Sequence, residues 1–133
     1  MSNTNKVILV GRLGKDPEIR YTTEGIPVAL FSLATTESYK DRSGKKREKT
    51  EWHNIITWRK LAEIAREYLK KGKLVYIEGK IQSREYDSKH GSKRKIYEIV
   101  ASDLKMLPIG YGLEHSSGVQ SVPPMSSGKG TRE

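Results

Sequence analysis

The sequence predicts an all-β domain with one helix, its strands closed into a small five-stranded barrel. Three observations carry this. Runs rich in β-branched and apolar residues recur between residues 6 and 107, separated by clusters of Gly, Pro, Asp and Ser. Only one stretch, within 61–69, repeats its apolar residues at helical spacing. The hydrophobic fraction is 35% and the mean hydropathy −0.69 over 133 residues, a lean supply that suits one small barrel better than two packed layers.

The elements follow in order. Lys6–Leu13 (KVILVGRL) is a strand ended by the turn cluster Gly14-Lys15-Asp16-Pro17, with a bend expected at Gly11. Glu18–Tyr21 is long enough only for a short strand, and Thr23-Glu24-Gly25 is a turn. Pro27–Thr36 is a strand with Val28, Leu30, Ser32 and Ala34 on one face. Residues 37–49 lose apolar character and carry Ser43-Gly44 at their middle, as a long hairpin tip would. Glu51–Trp58 is the third main strand. Leu61, Ile64, Ala65, Tyr68 and Leu69 then make an apolar helical stripe, with Lys70-Lys71 at the negative end of the helix dipole and Gly72 as the residue that stops it. Lys73–Ile81 is a strand whose Gly79 marks a bulge or bend. Residues 83–95 form a second polar hairpin with His90-Gly91 at its tip, and Ile96–Leu107 is the last strand, ended by Pro108.

Five main strands with one helix between the third and fourth is the order of the OB-fold, a Greek-key barrel that binds oligonucleotides. Long basic hairpins after strands two and four would project from it. Residues 1–108 form this domain. Residues 109–133 are rich in Gly, Ser and Pro and read as a flexible, disordered tail. Its charges cancel, so the whole net charge of +9 belongs to the barrel domain.

That charge favours a polyanionic partner, and the pI is near 9.7. The absence of cysteine excludes disulfides, zinc ribbons and thiol catalysis. The N-terminus lacks the apolar core of a signal peptide, and no run approaches a membrane span, so a soluble intracellular protein is expected, with no membrane partner.

Both tryptophans lie on one strand, where Trp52, Asn54, Ile56 and Trp58 share a face and the indoles stand roughly 20 Å apart. Two tryptophans alone are as well explained by a core, and a run of charge is usually a solvated surface. The combination is harder to dismiss. Residues 40–49 hold six cations against two anions and residues 84–95 five against two, net +4 and +3, with Tyr39 and Tyr86 near the hairpin bases. Aromatic rings interleaved with cations suit a single-stranded nucleic acid, whose bases stack and whose phosphates release counterions.

Catalytic signals are poor. His53, His90 and His115 match no metal-site spacing, and Glu51 beside His53 is no acid–base pair by register. Gly128-Lys129-Gly130-Thr131 lacks the spacing of a phosphate-binding loop. Asp16, Asp41, Asp87 and Asp103 are too dispersed for the metal cluster of a nuclease. No enzymatic activity, cofactor or metal is expected, and His53 reads as a structural residue at a core or subunit contact.

The chain resembles bacterial single-stranded DNA-binding proteins in several separate motifs. These are Asn5-Lys6-Val7-Ile8-Leu9-Val10-Gly11, Leu13-Gly14-Lys15-Asp16-Pro17-Glu18, Arg20-Tyr21, Thr50-Glu51-Trp52-His53, Leu61-Ala62-Glu63, Tyr68-Leu69-Lys70-Lys71-Gly72 and Val75-Tyr76-Ile77-Glu78-Gly79. Together they span about residues 5–107. The resemblance implies an OB barrel, usually homotetrameric, that coats single-stranded DNA in replication, repair and recombination, in the cytoplasm at the nucleoid. It implies base stacking at Tyr39, Trp52, Trp58 and Tyr86. The first and last of these are often tryptophan in the family, and the position of Trp58 is often phenylalanine. It further implies phosphate contacts at Lys6, Lys60, Lys71 and Arg84 and a subunit interface at His53. Arg42, Lys45 and Lys46 of the first basic hairpin join the expected phosphate contacts. One departure matters: the family usually ends in an acidic tip that recruits replication and repair proteins, and this sequence ends Gly128-Lys129-Gly130-Thr131-Arg132-Glu133. Replication and repair proteins stay open as partners, without an acidic tip in this sequence to recruit them. A truncated piece, a paralogue and a phage or mobile-element member all stay open, as does a dimeric hub resembling the primosomal replication protein N group, although a hub need not keep four stacking positions.

Overall fold

The computed structural model describes residues 2–108; the tail expected over 109–133 lies outside the described residues. Six strands and one helix follow in order: β1 (Val7–Leu13), β2 (Glu18–Tyr21), β3 (Pro27–Lys40), β4 (Lys46–Trp58), α1 (Lys60–Tyr68), β5 (Leu74–Asp87) and β6 (Lys93–Met106). The sheet order is β1-β5-β6-β4-β3-β2, and β1 also pairs with β3. That extra pairing closes five strands into the expected barrel and leaves the short β2 outside it, as an edge strand on β3. β1 can switch partners because Gly11 has no side chain: a Cβ there would collide with the carbonyl of Ala34 on β3.

Alternation fixes the interior. Ala29, Phe31 and Leu33 of β3, Ile55 of β4, Val75 and Ile77 of β5, and Ile99, Ala101 and Leu104 of β6 form one buried cluster. Thr57 shares the inward face of β4 and satisfies its buried hydroxyl by donating to the Ala29 carbonyl, 3.1 Å. At Gly79 the β5–β6 register slips, so that Ser102 is the extra residue of a bulge on β6.

The helix differs from the expected stripe. Ala62, Ala65 and Leu69 are buried, Leu61 and Ile64 half-buried, and Tyr68 exposed. Alanine on the contact face lets the helix lie close against the barrel, and the tyrosine ring is turned away from it. α1 ends at Tyr68 with Leu69 as its C-cap, so Gly72 is not the residue that stops it. Gly72 instead takes φ 87° in the following turn, where its N–H donates to the Leu13 carbonyl, 2.8 Å.

The largest departure lies in the hairpins. Their strands continue through the polar stretches, and pairing runs out to Lys40 opposite Lys46 and Asp87 opposite Lys93. A two-sided polar ribbon has no alternation to announce it, yet its backbone ladder is complete. The first tip is tied by Asp41, whose Oδ1 accepts from the Ser43 N–H (2.9 Å), the Ser43 hydroxyl (2.7 Å) and the Lys45 N–H (3.0 Å). Its Oδ2 accepts from Arg47 Nε at 3.0 Å. These bonds, that from the Ser43 hydroxyl first, hold the Asp41 carboxyl down at about 2. The second tip is a turn closed by Ser88 and Ser92, their hydroxyls 2.8 Å apart.

Candidate nucleic-acid interface

The topology gathers the two hairpins at one end. β4 and β6 run parallel where Ile55 meets Ile99 and Ile56 meets Val100. Each of these strands returns from a tip, so both arms leave the barrel in the same direction. The arms carry the basic runs.

The inward face of β4 is set by Ile55 and Thr57, so Trp52, Asn54, Ile56 and Trp58 face outward. Across the ladder, Trp52 faces Ala34, Asn54 faces Ser32, Ile56 faces Leu30 and Trp58 faces Val28. Small neighbours leave the first indole uncovered: Trp52 is 61% exposed and Trp58 43%. Trp52 rests over the turn after β1, where a Cβ on Gly14 would come within 2.5 Å of its ring. Gly14 is therefore the floor under this platform. The turn is tied in place by Asp16, whose carboxylate accepts the Lys71 N–H at 2.8 Å, bringing Lys71 to the same corner.

Tyr39 and Tyr86 are 51% and 46% exposed, one on each arm. Register places Arg47 opposite Tyr39 and Arg94 opposite Tyr86, so each ring has a guanidinium-bearing cross-strand neighbour. Tyr86 lies on the outward face, as the tryptophans do. Tyr39 lies on the opposite face of the β3–β4 ribbon, in alternation with Leu33.

The expected phosphate contacts are not all gathered there. Arg42, Lys45 and Lys46 sit at the first tip, exposed. Lys60 opens α1, two residues after Trp58. Arg84 is exposed on the second arm, but its Nε donates to Glu98 at 3.0 Å, a carboxylate only 4% exposed that also accepts from Gln82. Lys6 lies apart, before β1, and pairs with Glu78 at 3.1 Å. Glu78 also accepts from the Tyr76 hydroxyl at 2.8 Å. That bond and the nearby Lys6 hold the Glu78 carboxyl below its usual range, while burial first, then Glu78, pushes the Tyr76 phenol up to about 12.

His53 is half-buried on the inward face at the root of the first arm, its Nε2 2.9 Å from the Thr35 hydroxyl. Burial lowers its pKa, and the Glu51 charge opposes this more weakly. It borders a cleft of about 110 Å³ between the arm roots, lined also by Trp52, Asn54, Ile81 and Tyr97. Sequence reasoning missed Tyr97, Arg47 and Arg94, because their placement depends on register. Among the described residues no group of three His, Asp or Glu side chains is placed to hold a metal, and no helix is long and apolar enough to cross a membrane.

Comparison with known proteins supplies an independent line. The profile of the single-strand binding protein family matches residues 4–107. Single-stranded DNA-binding proteins of Neisseria meningitidis serogroups A and B are 59% identical over 114 residues, covering 86% of this chain and 64% of theirs. The chain thus spans just under two thirds of the length of those relatives. Single-stranded DNA-binding protein 1 of Chlorobaculum tepidum is 49% identical over 126 residues, 92% of this chain and 78% of that one. A solved Plasmodium falciparum SSB in complex with ssDNA superposes with a TM-score of 0.75 at 34% identity, over 81% of this chain and 98% of that one.

Proposed function

Because the chain belongs to the single-strand binding protein family, we propose that it binds and protects single-stranded DNA, without enzymatic chemistry and with little regard to sequence. The observation that carries this reading is the outward face of β4: two exposed indoles set opposite Ala34 and Val28, at the root of two basic arms that leave the barrel together. Bases stack on Trp52, Trp58 and Tyr86 along that face. The strand passes around the edge of the first arm to reach Tyr39. Arg42, Lys45, Lys46, Lys60, Lys71 and the exposed part of Arg84 neutralise phosphates. Lys6, held by Glu78, contributes at most after that pair opens.

The cellular role that fits is coating of exposed strands during replication, repair and recombination, in the cytoplasm at the nucleoid. A homotetramer is the second part of the proposal. Ile8 and Val10 turn outward from β1 beside Tyr76, an apolar strip that a second copy would cover, and His53 lies at the root of an arm where another subunit can reach it.

The test is a fluorescence titration with oligo-dT and with a duplex of equal length, each in a salt series, run beside light scattering. Tryptophan quenching by the single strand in preference to the duplex, with affinity falling as salt rises, is expected. The scattering mass should be about four times the 15.1 kDa chain. Equal affinity for duplex, or no quenching, refutes the binding reading; a monomer refutes the assembly.

A further inference from the structure

We infer that Arg59 is a phosphate-binding residue of the single-strand interface, kept at a backbone position that suits glycine. This rests on the single-strand binding proposed above and adds a residue to it. Among the described residues, φ is positive at Gly25, Gly44, Gly72, Gly91 and Arg59. The fold thus uses glycine wherever it needs this backbone, with one exception. Arg59 has φ 56° and ψ −119°, a region that a Cβ disfavours and that structures keep only when something over-determines it.

The fold itself does not require the side chain. What it requires of residue 59 is backbone: the N–H donates to the Pro27 carbonyl at 3.0 Å, and the carbonyl accepts from the Glu63 N–H at 3.0 Å to start α1. Glycine would serve both bonds without strain. The Arg59 side chain is exposed, and its guanidinium makes no hydrogen bond or ion pair among the described residues. A side chain that costs stability and makes no polar contact among the described residues has its use outside the chain. Its place says which use. Arg59 stands between the Trp58 platform and the exposed Lys60, so a base stacked on Trp58 brings its phosphate within reach of a planar, permanently charged fork.

The test compares the 133-residue chain with its Arg59→Gly and Arg59→Lys variants, by anisotropy of labelled oligo-dT in a salt series and by thermal melting. Arg59→Gly should melt several degrees higher than the parent, because strain is relieved. It should also bind roughly tenfold more weakly at low salt, and its plot of log affinity against log salt should be shallower by about 0.7. Arg59→Lys should keep the parent slope, since it keeps the charge, and should not gain the stability. Opposite movements of stability and affinity in one variant are what a merely structural residue would not produce. Parent-like affinity and slope in Arg59→Gly overturn the inference while leaving single-strand binding intact, and so does a lower melting temperature in that variant. A parent protein that does not bind oligo-dT overturns the functional reading, and this inference with it.

Discussion

Trp52→Ala tests the stacking platform most directly, and the structure sets its magnitude. The indole is 61% exposed, so the covered 39% is all that folding can lose. A tryptophan has at most roughly 250 Å² to bury, so about 100 Å² is at stake, an upper bound of about 2.5 kcal/mol at 25 cal/mol/Å². Stacking of one base is worth about 1–3 kcal/mol, a loss of roughly fivefold to 150-fold in affinity. Anisotropy of labelled oligo-dT reads the second quantity and urea unfolding the first. The floor under the ring makes the test sharper. Gly14→Ala places a methyl 2.5 Å from the Trp52 ring, which must swing aside because it is the movable partner. Gly14→Ala should therefore weaken binding in the parent protein and do little once Trp52 is alanine. That non-additivity is the signature of a shared site. Binding by folded Trp52→Ala within twofold of the parent, or fully additive effects, refutes the reasoning.

Three further outcomes follow from individual contacts. Arg84→Ala removes one of two donors from the buried Glu98 carboxylate and should destabilise the fold by about 1–3 kcal/mol, a figure below that of a fully buried pair because Arg84 itself is exposed; an unchanged urea midpoint refutes it. His53 has its pKa lowered by burial, so between its unfolded value near 6.5 and the lower folded value the unfolded chain binds the extra proton. Stability should fall as pH drops below that unfolded value, and His53→Asn should flatten this part of the profile; identical profiles refute it. Asp41 titrates at about 2 rather than 3.8, so its ties to the first tip are complete above the unfolded value and are lost as pH falls through the folded one. The amide resonances of Ser43 and Lys45 should report that low midpoint, and a midpoint near the unfolded value would contradict the observed geometry.

Much of this was legible in the residues because one face of each barrel strand is apolar. Alternation put Trp52, Asn54, Ile56 and Trp58 on one face of β4, and the structure leaves both indoles exposed on it. Where no apolar face exists, legibility ended. Residues 37–40 and 46–50 are paired strand, although nothing in their composition distinguishes strand from tip. The same blindness hid Tyr39's face and the Arg47 and Arg94 partners, since register is set by the whole ladder. Lys6 reads as a free cation until the β1–β5 pairing brings Glu78 beside it. Tyr68 fits a helical stripe equally well whether or not the helix turns that edge to the barrel, and here Ala62 takes the contact instead. At Arg59, side-chain identity argued against the backbone that the helix entry imposes.

The parallel contact between β4 and β6 spans only two residue pairs, Ile55–Ile99 and Ile56–Val100. Past it the two ribbons share no ladder, and each is a two-stranded structure with polar surface on both sides. Ribbons of this kind contribute little to global stability and open at low free energy. Rigidity and recognition are thus partitioned within one sheet: the barrel holds the root still, while the reach and charge of each arm can change beyond its root, where the Arg84 tie to buried Glu98 is the point at which arm and barrel still meet. A population of chains differing only in the outer parts of their arms, with the Arg84–Glu98 pair kept, would melt alike and grip their ligand differently.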